Sequence, residues 1–347
     1  MPDYKIFDPE NMARSIFDFP ENIHDALKIG DAINVELSKN EIRNIVVAGM
    51  GGSAIGGDVV SVLVDAELTV PLIVSRHYEL PAWVNKNTLV ICSSYSGNTE
   101  ETLAAFEDAK NKSAFIVGIT TGGKLLSKLK KEELSCAVIP SGLQPRAAMA
   151  FSFIPMLFLL KKLNLISHTV ISELKNVITV LKDKRTGYSA QTGDNPTIKL
   201  AEKIVSKIPV IYGQTTTTGI AAMRWKGQIC ENAKMLAYHN ELPELNHNEI
   251  VGWENNPEVL KYIALIWLKD TSDNPRVKHR QNITQDILKQ IVPVQESVVV
   301  YGKTMTERFL HLIYFGDWVS YWCAVIHGTD PSPVFKIENL KNELGKL

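Results

Sequence analysis

Two loops rich in glycine and hydroxyl groups limit what this chain can fold into more than any other feature. Gly49-Met50-Gly51-Gly52-Ser53-Ala54-Ile55-Gly56-Gly57-Asp58 follows the apolar run 44–48 (NIVVA). Ser93-Ser94-Tyr95-Ser96-Gly97-Asn98-Thr99-Glu100-Glu101-Thr102 follows 88–92 (TLVIC), and each loop opens a helix-like segment. Short β-branched runs of this kind read as buried parallel strands, whose carboxyl ends collect ligands in open α/β sheets. In the second loop the hydroxyls of Ser94, Tyr95, Ser96 and Thr99 crowd around Gly97. Asn98 and Glu101 have the spacing of a capping pair, starting a helix whose free N–H groups face the hydroxyls. The natural guest of such a loop is a phosphate.

The first loop alone fits a tight turn as well as a ligand cradle. Its spacing departs from the dinucleotide fingerprint GxGxxG, because Ala54 stands where the third glycine belongs, and no P-loop lysine follows. A nucleotide is therefore disfavoured. A hydroxyl-lined site without a lysine suits a small sugar phosphate better than a triphosphate that needs metal and charge neutralisation.

The rest of the chain supplies the sheets. Strand-like runs recur at 44–48, 71–74, 88–92, 114–119 and 136–139, with helical segments near 57–66, 99–111 and 123–134, after a helical lead-in at 10–39. A polar stretch at 182–197 reads as a connection, after which 208–212, 262–268 and 297–301 read as strands, 218–236 and 276–291 as helices, and 305–327 as a long helix. Alternation of this length predicts an α/β protein with two doubly wound parallel sheets. The halves resemble one another: Asn44–Gly49 with its loop and helix is echoed by Pro209–Gly213, Gln214–Gly219 and a helix. The second copy has no counterpart of SYSGNT, and its strand ends in Lys269-Asp270-Thr271, so one phosphate site per chain is expected, in the first half.

With 347 residues, 45% of them hydrophobic, the chain can fill two cores. A net charge of −1 leaves no basic excess for a nucleic acid or an anionic membrane, so neither is an expected partner. The basic run at 124–131 alternates with leucines and reads as a solvated helix face. Cys92, Cys136, Cys230 and Cys323 form no CxxC pair and no metal-spaced cluster with histidine, and read as core thiols of a reducing compartment. The N-terminus lacks the order of a secretory signal, and the most apolar stretch, 147–160, is short for a membrane span and carries Pro155. The expected location is the cytoplasm.

Acid–base groups come from three segments. Arg146 lies in Gln144-Pro145-Arg146-Ala147 just after the fifth strand, at the carboxyl edge. Glu231 shares a helix face with Arg224 and Gln228, a set that is expensive to bury without a polar partner or ligand. His247 lies in the polar loop Glu241–Glu249. Singly, these read as a surface ion pair, a solvated helix neighbour and an ordinary loop histidine. Beside a sugar-phosphate pocket they supply a carboxylate base, a fixed cation and an imidazole, which is what an aldose–ketose isomerisation requires.

Gly49–Asp58, Arg76-His77-Tyr78-Glu79-Leu80-Pro81, Ser94–Thr99, Gln144–Ala147, Glu231-Asn232-Ala233-Lys234, Glu241–Trp253 and His327-Gly328-Thr329-Asp330-Pro331 together resemble the bifunctional phosphoglucose/phosphomannose isomerases of the sugar isomerase (SIS) superfamily. SYSGNT marks the superfamily, and ELPELNHNEIVGW is more specific. The resemblance implies two SIS domains, a homodimer with shared active sites, and no metal or other cofactor. It implies that Ser94, Ser96 and Thr99 hold the phosphate, that Gly52 and Ser53 line the sugar side, and that Glu231 moves the proton between C1 and C2. Arg146 would stabilise the enediolate, His247 of the partner subunit would help open the ring, and Lys341 would lie near the ring oxygen. The domains expected are 1–155, with an N-terminal helix and the phosphate site, a helical connection at 156–195, and 196–347 with the catalytic glutamate. A regulatory sugar-phosphate sensor, or an isomerase of another phosphosugar, is the competing expectation.

Overall fold

The computed structural model describes residues 4–35 and 42–346. The chain opens with α1 (Met12–Phe17) and α2 (Phe19–Ala32). The single helical lead-in expected at 10–39 is thus broken in two, because Pro20 fits the first turn of a new helix but not the interior of an old one. The expectation for 36–39 lies outside the described residues.

There follow β1 (Asn44–Ala48), α3 (Gly51–Val64), β2 (Leu72–Ser75), β3 (Thr88–Ser94), α4 (Glu100–Asn111), β4 (Phe115–Thr120), α5 (Gly123–Lys131), β5 (Cys136–Val138), α6 (Met149–Lys162) and α7 (Thr169–Ser189). The remainder comprises α8 (Pro196–Ile204), β6 (Ile208–Gln214), α9 (Thr218–Asn232), β7 (Tyr238–Leu242), α10 (Pro257–Leu260), β8 (Ile263–Lys269), α11 (Pro275–Leu288), β9 (Val294–Val299), α12 (Met305–Ile326) and α13 (Phe335–Leu344). The chain divides into two compact units. The first comprises Asp18–Lys182 with Lys303–Glu307, and the second Met1–Phe17 with Asp183–Gly302 and Arg308–Leu347.

The first unit holds a parallel five-stranded sheet in the order β2-β1-β3-β4-β5. Strand order reverses between β1 and β3. Right-handed crossovers then send α3 and α4 to opposite faces and leave a crevice at the carboxyl ends of these two strands. β3 is buried throughout, as its uninterrupted apolar run requires. Its Val90 and Cys92 pack with Phe106 of α4 and Leu125 and Leu129 of α5. Lys128, between those leucines, faces outward and meets Glu107 at 2.5 Å. α6 is buried from Met149 to Leu160 and packs on α2 and α3.

The second unit holds a parallel four-stranded sheet in the order β7-β6-β8-β9. It repeats the first sheet's order, with β6 in the place of β1 and β8 in that of β3. β7 lies where no strand was expected, and its end runs into the polar loop expected at Glu241–Glu249. Its sequence YHNEL carries one buried residue, Leu242, which suits a polar edge strand. The stretch expected as a connection at 182–197 is helical as far as Ser189. α12 is long and apolar enough to cross a membrane, and its apolar window is buried within the protein.

Candidate active site

The phosphate-type loop is built around one backbone constraint. Gly97 has φ +67°, and a Cβ there would lie 1.8 Å from the Gly122 carbonyl oxygen, so only glycine lets the chain turn this close to β4's following loop. The turn closes with Gly97 N–H donating to both the Ser94 carbonyl and the Ser94 hydroxyl, each at 3.1 Å. Ser94 Oγ and Thr99 Oγ1 are 2.8 Å apart across it, and Asn98 N–H donates to Ser96 Oγ at 3.2 Å. Ser94 is buried, Thr99 half-buried and Ser96 exposed.

Thr99, and not Asn98, is the N-cap of α4. Its hydroxyl is engaged with Ser94 and makes no capping bond, while the Asn98 side chain reaches sideways to accept from Lys124 N–H at 3.0 Å. The expected pairing of Asn98 with Glu101 is therefore corrected. Asn98 ties the loop to α5, and the first-turn amides of α4 have no intrahelical acceptor.

The first loop is shorter than its sequence implies, because α3 begins at Gly51 and absorbs Gly52 and Ser53 into its first turn. Gly52 lies against the Pro145 carbonyl, where a Cβ would approach to 2.7 Å, so α3 sits close to the 3₁₀ turn Pro145–Ala147 that carries Arg146. The Arg146 side chain is 3% exposed. Ser53 Oγ accepts from Tyr95 N–H at 3.2 Å and joins the two loops. Burial raises the Tyr95 phenol above its ordinary range, opposed by the bond from Leu143 N–H, which the phenolic oxygen accepts at 3.0 Å. Two helix N-termini and a set of hydroxyls thus converge at the β1/β3 switch point, an arrangement that binds an oxyanion.

The loop after β2 steadies both helices. Arg76 bonds Asp58 of α3, and Tyr78 OH donates to Glu100 of α4 at 3.2 Å. Leu80 N–H donates to Asp108 of α4 at 2.8 Å, and Lys112 holds that carboxylate at 2.6 Å. All three contacts come from the segment Arg76-His77-Tyr78-Glu79-Leu80-Pro81.

Of the predicted site residues, Gly52, Ser53, Ser94, Ser96, Thr99 and Arg146 are thus gathered in the first unit. Glu231, His247 and Lys341 sit on three separate elements of the second. Glu231 is half-buried in the last turn of α9. His247 is the exposed end of a 3₁₀ turn, Glu244–His247. That turn is pinned by buried Leu245, by Asn246 Nδ2 donating to Thr284 Oγ1 at 2.9 Å, and by Asn248 Nδ2 donating to Glu244 at 2.8 Å. The next turn is held to the sheet by Tyr212 and Asn240, both donating to Glu249. Lys341 lies on α13, every described residue of which is exposed.

The second sheet has its own switch point between β6 and β8, and the protein's own groups fill it. Arg308 grips Asp270 at 2.7 and 3.1 Å, and Gln214 Oε1 accepts from Asn274 N–H at 2.7 Å. Glu241 packs against Gly219 in the first turn of α9, its carboxylate 2.8 Å from where a Cβ would stand. An internal carboxylate beside this helix start disfavours a second anion there.

Residues 193–344 match the family model described as the bacterial phospho-glucose isomerase C-terminal SIS domain. A bifunctional phosphoglucose/phosphomannose isomerase of Caldicellulosiruptor bescii is 45% identical over 338 residues, 97% of this chain and 99% of that one. An enzyme of the same name from Aquifex aeolicus is 39% identical over 305 residues, 88% of this chain and 91% of the relative. Among solved structures, the C-terminal domain of glucosamine-fructose-6-phosphate aminotransferase from Francisella tularensis superposes with a TM-score of 0.70 at 15% identity, over 96% of this chain and 99% of that one, which bears on the fold alone. With two SIS-type sheets, a hydroxyl-lined cradle at the first switch point and near-full-length identity to these relatives, the chain belongs to the bifunctional phosphoglucose/phosphomannose isomerase family.

Proposed function

We propose that this protein is an aldose–ketose isomerase that interconverts glucose 6-phosphate and mannose 6-phosphate with fructose 6-phosphate. The observation that carries the reading is the 45% identity to the Caldicellulosiruptor bescii isomerase across nearly the whole of both chains. The cradle at the β1/β3 switch point supports it by supplying hydroxyls and helix amides of the kind that hold a phosphomonoester.

In this reading Ser94, Ser96 and Thr99 take the phosphate, and Gly52 and Ser53 border the sugar. After ring opening, assisted by His247 and Lys341, Glu231 removes the proton from C2 of the open aldose. The electron pair forms the C1–C2 double bond of a cis-enediolate, whose negative charge Arg146 stabilises. Transfer of the O2 proton to O1, with return of the carbon-bound proton to C1 as the C1–C2 double-bond pair takes it up and C2–O2 becomes the carbonyl, gives fructose 6-phosphate. Glucose and mannose 6-phosphate differ only in configuration at C2, so delivery to either face of one enediolate serves both. The enzyme acts as a cytoplasmic homodimer, with His247 of the partner subunit completing each site, and the route uses no metal or cofactor.

The test is fructose 6-phosphate formation from each aldose separately, with and without a chelator. Comparable, chelator-resistant turnover is expected. Activity on glucose 6-phosphate alone would narrow the assignment to a phosphoglucose isomerase, and binding without turnover would make the protein a sugar-phosphate sensor.

A further inference from the structure

Glu231 is mounted on a helix whose buried face is unusually polar. Arg224 of α9, 5% exposed, bonds Asp317 of α12 at 2.8 Å, and the Gln228 amide adds a hydrogen bond to the same carboxylate. One turn further, Asn232 Nδ2 donates to Ser320 Oγ at 3.0 Å, and Ser320 Oγ donates to the Asp317 carbonyl at 2.7 Å. These contacts sit in an otherwise apolar stretch of α12, Phe315-Gly316-Asp317-Trp318-Val319-Ser320-Tyr321-Trp322. Gly316 lets the helices approach: a Cβ there would lie 2.0 Å from Trp225 Nε1, which donates to the Leu312 carbonyl at 2.9 Å.

Stability alone does not explain such a seam, because a buried ion pair often does no better than well-packed apolar residues of the same volume. A ladder of directional bonds does fix the rotation of one helix against another. A clasp at the C-terminal end adds to it. Lys234, with φ +56°, turns its ammonium back onto the Glu231 carbonyl at 2.7 Å and onto the Pro331 carbonyl after α12 at 3.0 Å. Arg224 and Gln228 thus lie on the face of α9 that carries Glu231, and Asn232 follows it directly in the last turn. A rotation of α9 by about 10° would move a side-chain tip about 1 Å. Displacement on that scale can cost about 10²-fold in rate.

We propose that Asp317 and Ser320 are positioning residues: through Arg224 and Asn232 they set the rotation of α9, and so the direction in which Glu231 presents its carboxylate to substrate. The proposal rests on Glu231 being the proton-transfer base.

The experiment compares the full-length double variant Arg224→Met with Asp317→Leu, the single variant Ser320→Ala, and Glu231→Gln. It measures melting temperature, kcat, KM and the primary isotope effect with glucose 6-phosphate deuterated at C2. The apolar swap, which also strips the Gln228 amide of its acceptor, should lower the melting temperature by only a few degrees and keep a KM within about 3-fold, while kcat falls about 10- to 100-fold and the isotope effect rises as proton transfer becomes more rate-limiting. Ser320→Ala, which leaves the ion pair in place, should lower kcat about 3- to 10-fold in the same pattern. Wild-type kcat in a folded swap variant, or in Ser320→Ala should the swap fail to fold, would overturn the proposal. Near-normal turnover by Glu231→Gln would instead remove the base assignment on which it rests.

Discussion

Ser94 and Thr99 face each other across the Gly97 turn with their side-chain oxygens 2.8 Å apart, one hydroxyl at the end of β3 and the other at the N-cap of α4. Each orients the other without help from a lysine. Removing either hydroxyl, by Ser94→Ala or Thr99→Val, should raise KM for both aldose phosphates about 10-fold or more, the effect of losing a hydrogen bond to a charged group. Because the two hydroxyls are coupled, the double variant should lose less than the product of the single losses. Steady-state kinetics with inorganic phosphate as competitor measures both effects, and unchanged KM values would take the phosphate out of this loop.

Gly97→Ala tests the turn itself. The new Cβ would meet the Gly122 carbonyl at 1.8 Å, in a left-handed conformation that alone costs about 1–3 kcal/mol. The variant should melt well below the wild type and lose affinity for both aldose phosphates. A wild-type melting temperature would mean that the loop relaxes readily.

Glu231→Gln keeps the size and hydrogen-bonding capacity of the side chain but removes the base. It should lower kcat by about 10²–10⁴-fold with little change in KM. Mixing it with His247→Ala, each inactive alone, should restore partial activity if His247 works across a dimer. No recovery after subunit exchange would place both residues in the same subunit's site.

Asp273, at the second switch point, gives a pH-dependent signature. Burial raises its carboxyl from 3.8 to about 6, with Asp270 also raising it and the Asp270 N–H and Lys278 opposing. An acid whose folded pKa lies above its unfolded value is held protonated by the fold. Its stabilising contribution is complete below about pH 4 and is lost as pH rises through about 6, at most about 3 kcal/mol in all. Asp273→Asn keeps an acceptor for the Asp270 N–H, which the wild-type carboxylate binds at 2.8 Å. Urea unfolding should therefore find the variant near wild type at about pH 4 and more stable by about 2–3 kcal/mol at about pH 7.5. A gap independent of pH would show that Asp273 does not titrate in this range.

Much of this was legible in the sequence, and the exceptions share a cause. Runs such as NIVVA and TLVIC announce themselves because strands buried on both faces need continuous apolar side chains, and β1 lies where its sequence puts it. β7 does not, since Tyr238, His239, Asn240 and Glu241 lie at a sheet edge where polar side chains carry little penalty. The cap of α4 falls one residue beyond the position its spacing predicts, because local spacing cannot reveal that Lys124, 26 residues away, claims the Asn98 side chain. Arg224 and Gln228 signalled that a buried partner was needed, but the choice of Asp317, 93 residues beyond Arg224, belongs to tertiary packing.

Cys92 in β3 and Cys323 in α12 are both 0% exposed, one in each compact unit, and burial pushes the Cys92 thiol up to about 12 and the Cys323 thiol higher still. Neither reacts as a thiolate until its own surroundings open. The half-buried Cys136 and Cys230 share the chain but do not mark those two interiors. The two deep thiols are therefore separate clocks: alkylation at one rate reports that the units unfold as a single cooperative system, and alkylation at two rates reports which unit opens first.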